Sequence, residues 1–182
     1  MVRIIGQPPR AVRCRDRVGD NGGPSTTQNP TLPMSEPALK WDVAYPHVID
    51  VTVQTADTDG MGHTNNVVYL GWLERAAWQH SHRLGMTLDR YRELDAGCVA
   101  RRHELDYLAP TFDGESLKVG TWIIENDRRL TMWRGYQIIR PADGRTVMRG
   151  KTLWVCVDMR HGRPRRMPPE FAVYVPAEAA AS

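Results

Sequence analysis

"NNVVYLGWLERAAWQHSHRLG", residues 65–85, decides how the rest of the chain must be arranged. Tyr69, Leu70, Leu73, Ala76, Ala77, His80 and Leu84 recur at helical spacing, and Gly85 supplies a C-terminal stop. Val68 and Trp72 widen the apolar stripe, which predicts a helix enclosed on most of its surface. The flanking sequence supplies strands to cover it. Upstream, "HVIDVTVQT" (47–55) alternates with Ile49, Val51 and Val53 on one face. Downstream, a short second helix is expected in "TLDRYRELDAG" (87–97), then strands over 98–108, 116–125, 130–140 and 146–158. The breaks "NDRR" and "PADGR" suit hairpins. One strand, a long buried helix and four further strands read as an α+β fold, an antiparallel sheet wrapped around a central helix.

The ends of the chain differ from this regular text. Residues 1–33 are rich in Pro, Gly, Arg, Ser and Thr without an apolar period, and are expected to form a disordered tail. Met34 opens "MSEPALKW", which reads as a natural start and suggests an over-extended beginning; a native N-terminal peptide starting at Ser35 would support that reading, and one starting at Val2 would refute it. The expected organisation is a tail over 1–33, a lead-in over 34–46, the folded domain over 47–175 and a flexible C-terminus over 176–182.

Charge and composition narrow the function classes. The 182-residue chain is 41% hydrophobic and 25% charged, with a formal net charge of +3. Five of its 24 basic and two of its 21 acidic residues lie in residues 1–33, so the remainder carries nineteen of each and no net charge. A nucleic-acid-binding core would carry a basic excess of its own, and no nucleic-acid partner is expected. No apolar run is long enough to span a membrane. Cys14, Cys98 and Cys156 form neither a disulfide framework nor a C-x-x-C pair, which points to a reducing compartment, the cytoplasm. Cys98 and Cys156 read as small buried hydrophobes.

Several motif-like stretches fail on spacing. "GRTVMRGKT" (144–152) would be a phosphate-binding loop only with Gly at 145, where Arg stands. Asp57-x-Asp59 begins like a calcium loop, but Met61 and Val68 occupy positions that need ligands. No H-E-x-x-H or G-x-S-x-G pattern occurs. Neither a metal nor another cofactor is expected.

"TADTDGMGHTNN" (55–66) is different, because it crowds two aspartates, a histidine and two asparagines against the start of the long helix. Helix capping accounts for Thr64 or Asn65, and the glycines permit a turn. Capping does not require both Asp57 and Asp59, nor His63 beside Asn65 and Asn66. A helix start also offers unpaired N–H donors and about half a positive charge. One donor aimed at a developing oxyanion is typically worth about 3–4 kcal/mol in a transition state. A neighbouring carboxylate could attack a carbonyl carbon or deprotonate water. An activated acyl compound cleaved by water fits that pairing.

The same residues resemble a known family. "ADTDGMGHTNNVVYLGWLE" is similar to the D-T-D-x-x-G-H-V-N-N-x-x-Y-L-x-W-x-E signature of hotdog-fold acyl-CoA thioesterases of the 4-hydroxybenzoyl-CoA thioesterase-like group. The resemblance continues through "RRHELDYLAPTFDGESLKVGTWI" and "TLWVCVDMRHGRPRRMP", over about residues 47–170. It implies the hotdog fold, a curved antiparallel sheet around one long helix, assembled as a homodimer or homotetramer with active sites between subunits. It implies hydrolysis of an acyl-CoA substrate, with Asp59 as nucleophile or general base. The backbone N–H of Asn66 would polarise the thioester carbonyl, Asp57 would support the loop, and His63 and Asn65 would position groups. Arg128 and Arg129, or the "RHGRPRR" run at 160–166, are candidates for the phosphates of coenzyme A. A related signature in plant-type acyl-carrier-protein thioesterases has Asn where this chain has Met61, and Thr64 replaces the usual Val. Acyl-carrier-protein thioesterase activity and a non-catalytic acyl-CoA binder are the alternatives.

Overall fold

A computed structural model describes residues 39–178. Five antiparallel strands form one sheet in the order β1-β3-β4-β5-β2. They are β1 (His47–Thr52), β2 (Ala96–Tyr107), β3 (Ser116–Asn126), β4 (Thr131–Arg140) and β5 (Arg145–Asp158). Between β1 and β2 the chain forms α1 (Asn66–Arg83) and α2 (Leu88–Glu93). These are the elements the apolar periods predict, with boundaries shifted by a few residues. The largest shift is in the second helix, because Ala96 already pairs with Asp158 in the sheet.

The concave face of the sheet holds α1. Tyr69, Trp72, Leu73, Ala76 and Ala77 pack against Ile49 and Val51 of β1, Leu117 and Val119 of β3, and Tyr136 and Ile138 of β4. Burying a side chain such as Leu73, only 1% exposed, stabilises the fold by roughly 1.5–3 kcal/mol. Register shifts that leave an extra residue in β2, β3 and β5 bend the strands, as bulges do, and help the sheet curve around the helix. A second apolar cluster, including Met86, Tyr91, Ile123, Met132 and Phe171, closes the far end.

Enclosure of α1 is less complete than its sequence predicts. Val67, Gly71, Glu74, Arg75, Trp78 and Gln79 are exposed in the single chain. The sheet covers one side of the helix and no element among the described residues covers the other. None of the described helices is long and apolar enough to cross a membrane.

The lead-in is tied down by one buried polar side chain and one exposed ion pair. Gln137, fully buried on β4, accepts the Asp42 N–H at 2.9 Å and donates to the Lys40 carbonyl at 3.0 Å. Arg149 grips the Asp42 carboxylate through two hydrogen bonds of 2.7 and 2.9 Å. At the other end, the Ala177 N–H donates to the Ile123 carbonyl at 2.9 Å. The expected tail over 1–33 and the last four residues lie outside the described residues.

Candidate active site at the start of helix α1

The loop from β1 to α1 is held by its own polar groups. A short 3-10 turn spans Thr55–Asp57, and the Gln54 N–H donates to the Asp57 carboxylate at 2.9 Å. The Asp57 carbonyl accepts the Asn65 N–H at 2.8 Å. Both ends of Asp57 are therefore committed to loop structure, the supporting role expected for it. Gly62, at φ +76°, closes the turn by donating to the Asp59 carbonyl at 3.0 Å. The Asp59 N–H donates back to the His63 carbonyl at 2.8 Å.

This turn fixes the Asp59 side chain by one oxygen. Its Oδ1 accepts the Met61 N–H at 2.8 Å, while Oδ2 has no hydrogen-bond partner among the described residues. The helix start is arranged in a complementary way. Asn65 is the N-cap, and its Oδ1 accepts the Val67 N–H at 3.0 Å. The Val68 N–H is taken by the Asn65 carbonyl at 2.9 Å. The Asn66 N–H alone of these first donors has no partner among the described residues.

Asp59, His63 and Asn66 line one cavity of about 310 Å³, with Tyr107 and Pro110 on its opposite wall. The loop is pinned to that wall through Thr64, only 4% exposed. The Thr64 N–H donates to the Thr111 carbonyl at 2.9 Å, and the hydroxyls of Thr64 and Thr111 lie 2.6 Å apart. The Tyr69 hydroxyl joins the Thr111 hydroxyl at 2.7 Å, so helix, loop and wall share one buried hydroxyl network. The Tyr107 hydroxyl donates to the Asn66 carbonyl at 3.2 Å. Burial, and then the nearby Tyr69, push the Tyr107 phenol upward, so it remains a donor at neutral pH. His63 meets Phe112 edge-on, with ring centroids 5.2 Å apart.

The sequence-predicted residues thus divide into three groups. Asp59, His63 and Asn66 come together around one cavity, whereas Asn65 is occupied as a cap. Arg128 and Arg129 do not join them within one chain. They sit in the β3–β4 turn, built on Asp127, whose Oδ1 accepts the N–H groups of Arg129, Leu130 and Thr131 at 2.7, 2.8 and 2.9 Å. Burial opposes ionisation of this carboxyl, but those donors together prevail and hold its pKa at about 2. The cavity lies beyond the other end of β3, where Ser116 pairs with Thr52. Strand rise puts the turn roughly 30 Å away along β3. In the 160–166 run, Arg165 donates to the carbonyls of Leu94 and Asp95.

Tyr107 and Thr111 carry roles that the sequence reading did not assign. Each lies more than forty positions from its partner at the helix start, as Asn66 and Thr64. The one available signal was polar residues flanking the predicted end of a strand in "DYLAPT".

Residues 53–174 match the family described as the thioesterase-like superfamily. Among solved structures, the chain is similar to a 1,4-dihydroxy-2-naphthoyl-CoA thioesterase from Synechocystis, with 19% identity and a TM-score of 0.64 over 71% of this chain and 95% of that one. A hypothetical protein from Thermus thermophilus is 26% identical, with a TM-score of 0.64 over 70% of this chain and 96% of that one. A Staphylococcus aureus protein solved in complex with CoA is 14% identical, with a TM-score of 0.66 over 74% and 84% of the two chains. No curated protein matches the chain.

Proposed function

The chain belongs to the thioesterase-like superfamily, and from that premise we propose that it hydrolyses an acyl-CoA thioester to the free acid and CoA. The observation that carries this reading is the pairing of Asp59 and Asn66 on the wall of one cavity, with one Asp59 oxygen and the Asn66 N–H both without partners among the described residues. The thioester carbonyl oxygen accepts the Asn66 N–H, which stabilises the negative charge that develops as the carbonyl carbon becomes tetrahedral. The macrodipole of α1 adds to that stabilisation.

Asp59 acts in one of two ways. As nucleophile, its free oxygen bonds to the carbonyl carbon, the carbon–sulfur bond breaks, and CoA leaves as a thiolate that takes a proton from solvent. Water then splits the mixed anhydride and restores the carboxylate. As general base, Asp59 takes a proton from the attacking water, and that proton passes to the departing sulfur. His63 and Tyr107 border the same space and orient the acyl group. The likeness to a fold that is solved elsewhere with CoA supports CoA as the carrier.

Arg128 and Arg129 fit this scheme only from a second copy of the chain, because within one copy they lie at the far end of β3. We therefore read the working protein as a homo-oligomer, a dimer or a tetramer, whose second copy brings this turn to the CoA phosphates. The unpaired outer edge of β2, among the described residues, supports assembly of that kind.

Thiol release measured over short-chain, long-chain and aromatic acyl-CoAs tests the reaction. Asp59→Asn is expected to lower turnover by at least about a hundredfold with an unchanged melting temperature. Near-normal turnover in that variant refutes the role of Asp59. Heat protection by acyl-CoAs without thiol release from any of them would identify a binder instead.

A further inference from the structure

A second cavity, of about 320 Å³, lies at the opposite end of α1, between its last turns, α2 and the paired ends of β2 and β5. It shares no lining residue with the Asp59 cavity. Its walls are mainly apolar, and include Trp78, Leu88, Met132 and Trp154. Against that background one lining residue stands out: Arg134, which is only 2% exposed.

Arg134 has no anionic partner among the described residues. Its Nη1 donates to His80 Nδ1 at 2.8 Å and reaches the Thr121 hydroxyl at 3.5 Å. Its guanidinium carbon lies 5.7 Å from the centroid of the Tyr174 ring. His80 supplies no negative charge. Burial first, and then the charges of Arg134, His47 and Arg83, lower its pKa to about 4, so the ring is neutral and accepts on Nδ1. Asp158 also lines the cavity, but its carboxylate accepts the N–H groups of His161 and Arg163 at 2.6 and 3.0 Å. Both Arg134 hydrogen bonds use Nη1. The edge formed by Nε and Nη2, which can take a carboxylate side-on through two parallel bonds, has no partner among the described residues.

Trp154 lines the cavity with its ring, while its buried Nε1 faces the Tyr136 hydroxyl, which borders a different cavity. A buried cation without a counter-charge is destabilising, and an anion supplied by a ligand removes that deficit. Apolar walls, one buried cation and an Asp158 carboxylate already held by its own turn favour a monoanion with an apolar body over a phosphate or a neutral lipid.

We propose that this cavity binds an apolar molecule ending in a carboxylate, with the carboxylate on Arg134 and the apolar body among Trp78, Leu88, Met132 and Trp154. Acids released by thioester hydrolysis belong to this chemical class. The site nevertheless needs no turnover, so it stands or falls separately from the catalytic role of Asp59.

Isothermal titration of the full chain with octanoate and with octan-1-ol tests the proposal. Octanoate is expected to bind at least tenfold more tightly than the alcohol, and Arg134→Met is expected to abolish that preference. Leu88→Asp, a change at an exposed position on the cavity rim, is expected to weaken octanoate at least tenfold by placing a like charge there, without altering the fold. Asp59→Asn is expected to leave octanoate binding unchanged. Equal affinity for acid and alcohol, or an undiminished preference in Arg134→Met, overturns the proposal. Loss of octanoate binding in Asp59→Asn alone also overturns it, by assigning the acid to the catalytic cavity.

Discussion

Asn65 and Asn66 are neighbours in sequence and do different work. The Asn65 side chain closes the Val67 N–H, so the Asn66 N–H remains the open donor at the helix start. Asn65→Ala should cost about 1 kcal/mol of stability as a lost cap. Asn65→Ser should recover most of that loss along with turnover. If Asn65→Ser keeps its stability but loses thiol release, the Asn65 side chain has a chemical role beyond the cap. His80 yields a second prediction at this scale. Its pKa is lowered to about 4 in the folded chain, chiefly by burial and then by Arg134, His47 and Arg83. His47 is shifted in the same direction, again mainly by burial. The unfolded chain therefore takes up a proton near pH 6.5 that the folded chain refuses until about pH 4. Stability from this group is complete above about pH 6.5 and falls as the pH drops toward 4. Urea midpoints should decrease between pH 7.5 and 4.5, and by less in His80→Gln. An equal decrease in that variant would place the effect elsewhere.

Helix α1 was legible as an element because its apolar residues repeat at helical spacing and its ends carry a cap and a glycine. Its exposed side was not, since a wide apolar stripe does not say whether the same chain covers it. Gly71 shows the difference. A helical glycine suggests a close approach by another element, yet a Cβ there would meet nothing within 4 Å in the single chain. Gly71→Ala should therefore stabilise the protein by roughly 1 kcal/mol, read from chemical denaturation. A destabilised variant would show that the position is covered in the assembled protein. Gly135 on β4 is the opposite case. A Cβ there would fall 2.6 Å from the Trp122 indole, which lies across this cross-strand position. Gly135→Ala should lower stability by about 1–3 kcal/mol, the usual cost of overpacking, and an unchanged midpoint would mean that the Trp122 ring moves aside freely.

At the scale of the whole molecule, a second copy is expected to complete the site. The homo-oligomer proposed above should appear as a dimer or tetramer in sedimentation equilibrium, and a monomer at micromolar concentration would refute it. If that second copy brings Arg128 and Arg129 to the CoA phosphates, replacing both with Ala should raise KM several-fold and leave kcat nearly unchanged. An unchanged KM would return these arginines to the role of a solvated turn. By itself, the sequence determined the order of strands and helices, because periods of two and of three to four are local properties of a chain with one buried face. It also determined that Asp59, His63 and Asn66 lie together, because eight consecutive positions in a tight turn cannot separate far. Tertiary structure decided that Tyr107 and Thr111 face them and that Arg128 and Arg129 do not. It also placed Arg134 beside an apolar cavity without an ion-pair partner among the described residues. Those relations depend on strand register and sheet curvature, which bring distant residues together through packing that no local pattern encodes.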